Sequence, residues 1–230
     1  TAYFCIISKQ FLSAFKLEEV RAYLLIILAA IIIICANTFQ LYESFGETLR
    51  HTAFQVSSII TTTGFSTTDF NLWPQLSKTV LVILMFVGAC AGSTGGGIKV
   101  SRVMILFKTI GKEIRMLIHP RMIQKIKQDD HVVSHEVIRS TNVFIAVYSI
   151  ILFLSVLLIS IDNFDFTTNF TAVAATLNNI GPGLELVGPT GNFSIFSAFS
   201  KYVLMFDMLA GRLELFPMLI LFHPSCWKKY

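Results

Sequence analysis

The stretch SIITTTGFSTTDF, residues 58 to 70, sets a run of hydroxyl side chains and one glycine between apolar segments. Thr62, Thr63, Gly64 and Phe65 can present four consecutive backbone carbonyls, with threonine hydroxyls adding further oxygen. Gly64 can take the positive φ that lets successive carbonyls point one way. Oxygens held ready in this manner replace the water shell of a large, weakly hydrated monovalent cation such as potassium. A half helix ending at the turn would aim its partially negative end at that cation, so no side-chain charge is needed. The alternative is that the hydroxyls only satisfy local backbone groups at a helix end.

The elements that must hold this turn are membrane elements. The 230-residue chain is 54% hydrophobic and 14% charged, with a mean hydropathy of +0.68, which excludes an ordinary soluble domain. Ala22 to Phe39, Thr79 to Ile98 and Ser140 to Ile161 each have the length and composition of a spanning helix. Phe193 to Phe222 is a fourth candidate, interrupted by Asp207, Arg212 and Glu214. Lys99, Arg102, Lys108, Lys112, Arg115, Arg121, Lys125 and Lys127 follow the second apolar run, which places that side in the cytoplasm. The same basic run could suggest nucleic-acid binding, but its position beside a spanning helix favours topology, and no nucleic-acid partner is expected. The chain between Phe39 and Thr79 then leaves and re-enters on one outer side. A half helix over about Phe45 to Ile60 followed by an extended return satisfies this, if protein or a water-filled path surrounds it.

The pattern recurs 117 residues later: Glu19–Val20 returns as Glu136–Val137, and Gly64 falls on Gly181 in AVAATLNNIGPGL. Each half reads helix, half helix, glycine turn, helix, and both halves begin and end on the basic side, so they are parallel repeats. The fold class expected is an all-α membrane protein, with tandem helix–pore-loop–helix repeats arranged as a potassium-channel-like pore. Residues 1–17 are expected to form a cytoplasmic-side lead-in or the end of a preceding repeat, 18–120 the first repeat, 121–134 a cytoplasmic linker and 135–230 the second repeat. The distance from glycine to the closing His-Pro is 55 residues in the first half (to His119) and 42 in the second (to His223), an insertion of 13. GACAGSTGGGIK is its expected host, because Gly95, Gly96 and Gly97 break a helix; close helix packing is the other reason for such glycines. A phosphate loop is disfavoured, since Ile98 stands where its lysine belongs. Arg212, in an apolar segment, is either an electrostatic gate partnered by Asp207, Glu214 or the carbonyls of the glycine interruption, or a side chain snorkelling to the cytoplasmic face. Cys5, Cys35, Cys90 and Cys226 are widely spaced and are expected to be structural. Thr1 in place of an initiator Met suggests a partial chain.

TTTGFSTTDF, GACAGSTGGGIKVSR, AVAATLNNIGPGL and GRLELFP together resemble the Trk/Ktr/HKT superfamily of potassium transporter membrane subunits, most closely the bacterial TrkH type. The similarity runs from about Glu18 to Trp227 and matches that family's third and fourth repeats. It implies potassium uptake across the bacterial cytoplasmic (inner) membrane by a multi-pass protein, with K+ as the transported ion and no covalent cofactor. By position it implies a filter of Thr62, Thr63, Gly64 and Phe65 with Asn179, Ile180, Gly181 and Pro182. It further implies a gate of the loop Gly92 to Gly97 (Gly92, Gly95, Gly96 and Gly97) opposed by Arg212. The resemblance also implies a homodimer, an amino-terminal half carrying two further repeats, and a cytoplasmic TrkA-like ring of nucleotide-binding regulatory subunits docking near His119 to Arg139. Ile180 lacks a hydroxyl and Pro182 lacks an N–H, which predicts looser cation discrimination than in a fourfold-identical filter. Three rivals stand beside this reading: a sodium- or proton-coupled symporter, which usually carries inverted repeats; an intramembrane serine protease at GSTG, which needs a histidine base; and a purely structural membrane subunit.

Overall fold

The computed structural model describes residues 15–93, 95–119, 125–129, 131–212 and 215–221. They are almost entirely helical. Helices α1 (Glu18–Thr38), α2 (Phe45–Ile60), α3 (Gln75–Phe86) and α4 (Val100–Ile118) are followed by a two-stranded hairpin of β1 (Lys127–Gln128) and β2 (His131–Val132). Helices α5 (His135–Ile159), α6 (Phe166–Leu177), α7 (Ala198–Arg212) and α8 (Leu215–Leu221) complete the described chain.

The 117-residue spacing is present in the backbone itself. α1 and α5 start 117 residues apart, and the half helices α2 and α6 end 117 residues apart, at Ile60 and Leu177. Both half helices begin on a side-chain cap, where an oxygen takes one of the orphan first-turn amides. Ser44 accepts from the Glu47 N–H at 3.2 Å, and Asp165 accepts from the Thr168 N–H at 2.9 Å. α1 and α5, each with its following 3-10 turn, are the two described helices long and apolar enough to cross a membrane. Their apolar residues extend round the helix: Leu25, Leu28 and Ile32 of α1 and Phe153 and Leu157 of α5 are exposed, as in a helix that meets lipid or further protein.

Two apolar cores meet at the pore-loop helices. One gathers Ile34 of α1, Val56, Ile59 and Ile60 of α2 and Leu81 of α3, and it takes in Ala174 and Ile180 from the second repeat. The other gathers Phe144, Tyr148 and Leu152 of α5, Leu177 of α6 and Leu204 of α7.

The apolar run that carries GACAGSTGGGIK is divided at that glycine-rich stretch. The run Thr79 to Ile98 is helical only to Phe86, and the chain re-enters helix at Val100, leaving a loop of 13 residues, 87–99. The loop is closed at its neck by Gly88 N–H to Ile98 carbonyl at 2.8 Å and Ile98 N–H to Phe86 carbonyl at 3.2 Å. Gly88 permits that neck, since a Cβ there would stand 2.5 Å from the Gly96 carbonyl oxygen. The described residues of the segment Phe193 to Phe222 form a 3-10 turn (Phe193–Ile195), α7 and α8. Glu214, His223, Cys5 and Cys226 lie outside the described residues. Cys35 is buried and Cys90 half-buried, both as free thiols.

Candidate functional site: two glycine turns above a glycine loop

The half helices end in turns that share two backbone hydrogen bonds at the repeat spacing. Thr62 N–H donates to Ile59 and Thr63 N–H to Ser58, at 3.0 and 2.8 Å; 117 residues on, Asn179 N–H donates to Thr176 and Ile180 N–H to Ala175, at 3.0 and 2.9 Å. Left-handed backbone recurs at the same spacing, at Thr62 (φ 56°) and Gly64 (82°), then at Asn179 (54°) and Gly181 (116°). Non-glycine residues rarely adopt it, and threonine least readily, so each turn holds strain that its surroundings must fix.

The two turns touch. A Cβ on Gly64 would lie 1.9 Å from the Ile180 carbonyl oxygen and 3.4 Å from Pro182 Cδ. Ile180, without a hydroxyl to hold its turn, is anchored by packing instead: its side chain is buried in the apolar core of the neighbouring repeat. Among the described residues, no hydrogen bond reaches the carbonyls of Thr62, Thr63, Gly64, Asn179, Ile180, Gly181 or Pro182. Phe65 differs. Its carbonyl accepts from the Ser58 hydroxyl at 2.5 Å and its ring is exposed, so its oxygen is drawn back toward α2 and only three first-turn carbonyls are left without a donor.

Polar clamps lock the returns that follow the turns. Asn71 accepts from the Glu185 N–H at 2.9 Å and donates to the Glu185 carbonyl at 3.1 Å, while Lys78 pairs with the Glu185 carboxylate at 3.5 Å. On the second turn, Asn179 Nδ2 donates to the Met208 carbonyl of α7 at 3.0 Å.

The loop 87–99 packs against both turns. A Cβ on Gly96 would lie 2.2 Å from the Asn178 carbonyl oxygen, one on Gly97 3.1 Å from Asn178 Oδ1, and one on Gly95 3.2 Å from Thr62 Oγ1. Gly95, Gly96 and Gly97 thus bring the loop backbone to the base of both turns. Gly92, at φ 82°, has nothing near it and serves the loop's bend alone. Lys99 folds back over the loop, donating to the Ser93 carbonyl at 3.0 Å and the Gly95 carbonyl at 2.5 Å. Ser93, Gly95, Lys99, Arg102, Tyr148 and Arg212 line one small cavity of about 80 Å³. Arg212 therefore faces the loop from α7. Asp207 is not its partner: Oδ1 accepts from Ser155 of α5 at 2.7 Å and Oδ2 is buried without a partner. Among the described residues, no histidine lines the cavity at Ser93, and His51 bonds to Thr67.

Sequence reasoning missed Asn178, Tyr148 and Gly211. Asn178 is fully buried, with Nδ2 bonded to the Ala174 carbonyl at 2.7 Å and Oδ1 accepting from Tyr148 at 2.8 Å. It is the counterpart of Thr61 at the repeat spacing, which was the available signal. Gly211 lets α7 touch α6, for a Cβ there would stand 1.8 Å from the Leu177 carbonyl oxygen. A small residue within an apolar helix was its cue.

Comparison with known proteins agrees with this architecture. Residues 22–229 match the family described as TrkH, cation transport protein. The chain is 37% identical over 202 residues to the Trk system potassium uptake protein TrkH of Salmonella typhimurium, a match covering 86% of this chain and 41% of that protein. It is 33% identical over 231 residues to the Trk system potassium uptake protein TrkG of Escherichia coli K12, covering 99% and 47%. The crystal structure of the potassium transporter TrkH from Vibrio parahaemolyticus superimposes with a TM-score of 0.83 at 35% identity, over 93% of this chain and 46% of that one. The chain thus spans somewhat under half the length of these relatives, and its helical fold is theirs. With nearly its whole length inside the family match, the chain belongs to the TrkH family of cation transport proteins.

Proposed function

We propose that the two glycine turns are two walls of a potassium-conducting filter in a bacterial cytoplasmic membrane, and that the loop 87–99 closes the path beneath them. One observation carries the reading: turns 117 residues apart share hydrogen bonds and left-handed positions, and they meet at Gly64 and Ile180 with carbonyls unclaimed. Peptide oxygens of this kind replace a hydration shell without a formal charge that would hold the ion too tightly to leave. The C-terminal ends of α2 and α6 add a partial negative charge of roughly half an electron each. Names of the relatives, all Trk potassium uptake proteins, support potassium as the ion.

Below the turns the chemistry reverses sign. Lys99 is bound to loop carbonyls, and Arg212 faces the same cavity, so a cation leaving the filter meets positive charge and a backbone plug together. Withdrawal of the loop from Asn178 and Thr62 would remove the backbone plug and leave Arg212 in place on α7. The remaining walls come from outside this chain. The second turn opens sideways on a groove of about 730 Å³ lined by Thr176, Asn179, Gly181, Lys201, Met205 and Met208, which another repeat would fill. Homodimerisation and a nucleotide-binding ring on the basic cytoplasmic surface belong to the same proposal.

The test is rubidium and sodium flux into liposomes containing the full-length protein, with Gly64 intact and replaced. Selective rubidium entry that requires no inward sodium or proton gradient and is lost on replacement supports the pore. Entry that depends on such a gradient would make it a symporter, and equal sodium and rubidium entry would overturn a selective filter.

A further inference from the structure

Two helices at the cytoplasmic end lack caps of their own. Leu17 before α1 and Lys99 before α4 make no side-chain cap. First-turn amides left this way need an acceptor from elsewhere. Both find one in another element, and the two bonds lie in series.

Glu19 Oε1, on the first turn of α1, accepts from the Ala91 N–H at 2.6 Å and from the Ser101 N–H at 3.2 Å. Ser101 is in the first turn of α4, where a carboxylate also answers the helix dipole. Ala91 is not helical; it lies where the loop 87–99 descends. A single carboxylate oxygen thus ties both limbs of the loop to α1. One residue earlier, the Glu18 N–H donates to Asp129 Oδ1 at 2.7 Å, so the hairpin caps α1. Lys108 of α4 closes the circuit, pairing with the Glu18 carboxylate and donating to the Lys127 carbonyl at 2.7 Å. Asp129 is held for this at φ 48°, in the hairpin turn.

We propose that Glu19 is a positioning residue for the gate: its carboxylate holds the loop against the glycine turns, and the Asp129 hairpin holds Glu19. The inference rests on the reading of 87–99 as the gate. It gives the cytoplasmic hairpin a bonded route to the loop, through Asp129, the α1 N-terminus and Glu19, with no need to move the filter. Glu136 is the internal control. It is the counterpart of Glu19 in the second repeat, is exposed, and has no loop to hold, because α7 runs without interruption from Ala198 to Arg212.

The experiment uses the full-length protein in liposomes, with hydrogen exchange of the peptide 88–102 followed by mass spectrometry alongside rubidium and sodium flux. Glu19→Ala is expected to speed exchange in that peptide roughly tenfold, the scale of losing a charge-assisted hydrogen bond. It should also raise rubidium flux several-fold at an unchanged rubidium-to-sodium ratio. Glu19→Gln keeps an oxygen acceptor and should fall between Glu19→Ala and the unaltered protein. Asp129→Ala should shift exchange in the same direction by less, and Glu136→Ala should not shift it. Where Glu19→Ala does not fold, Glu19→Gln decides, and unaltered exchange and flux in it overturn the proposal. Unaltered exchange in Asp129→Ala overturns the hairpin's part. Failure of the pore reading looks different: the unaltered protein would pass no rubidium, whereas the clamp would still show in the exchange of 88–102.

Discussion

Gly64 and Ile180 are in backbone contact across the two repeats, so close that a side-chain carbon on Gly64 would stand 1.9 Å from the Ile180 oxygen. Gly64 also holds φ 82°, which costs an L residue about 1–2 kcal/mol. Alanine at this position therefore meets two penalties, and the contact requires movement of a candidate ion-binding carbonyl. Gly181 holds φ 116° but has open space around it. The expected outcome is that Gly64→Ala lowers rubidium flux in liposomes by about tenfold or more, and Gly181→Ala by less. Equal losses would mean that the contact between the turns has no part in conduction.

The loop glycines separate in the same manner. Gly96→Ala would drive a Cβ to 2.2 Å from the Asn178 carbonyl oxygen, so the loop must lift from the second turn. Gly92→Ala meets nothing and adds only the strain of φ 82°, about 1–2 kcal/mol. Single-channel or flux recordings should show basal flux raised by Gly96→Ala and little changed by Gly92→Asn, because asparagine tolerates left-handed backbone. Basal flux left unaltered by Gly96→Ala would count against the loop as a plug.

Periodicity and turn chemistry carried the part of this architecture that depends on local sequence. The half helix over Phe45 to Ile60, the turn at Gly64 and its counterpart at Gly181 follow from apolar length, threonine run and glycine, all of which act within a few residues. The interruption after Phe86 follows from the three adjacent glycines of GACAGSTGGGIK, but its neck does not, since that depends on Gly88 and Gly96 packing backbone to backbone across the loop. Phe65 was legible as a turn residue, but the direction of its carbonyl depends on the Ser58 hydroxyl seven positions back. Glu19 was visible only as half of a repeated Glu-Val pair. Its bonds run to residues 72 and 82 positions away, a separation at which one chain alone carries no pattern.

Acid should loosen the outer end of the second repeat. The Thr168 hydroxyl, with backbone amides behind it, holds the Asp165 carboxyl below the usual aspartate range. A carboxylate with a depressed folded pKa stabilises the fold fully above its unfolded value, near 3.8, and the contribution disappears as pH falls through the lower folded value. Asp165 is exposed, so solvent screening keeps the effect small. In detergent, the thermal midpoint should drop as pH is taken below 4, and Asp165→Asn, which keeps a capping oxygen, should flatten the drop. An identical pH profile in Asp165→Asn would show that the cap is not what titrates.

Gly211 and Gly111 should respond to the same substitution with opposite signs. Both lie in helices, where alanine is intrinsically better than glycine by about 0.8–1 kcal/mol. Gly111, on α4, has nothing within 4 Å of a new Cβ, so Gly111→Ala should raise stability by up to that amount. Gly211→Ala would place its carbon 1.8 Å from the Leu177 carbonyl oxygen and 2.9 Å from Asn179 Nδ2. α7 must then back away from α6, at a cost of about 1–3 kcal/mol for overpacking. The same movement stretches the bond from Asn179 to the Met208 carbonyl, which ties the second turn to α7. Gly211→Ala should therefore lower the thermal midpoint in detergent and reduce rubidium-over-sodium preference together, while Gly111→Ala raises the midpoint and leaves the preference unchanged. A lowered midpoint with full preference would mean that the second turn keeps its shape without α7.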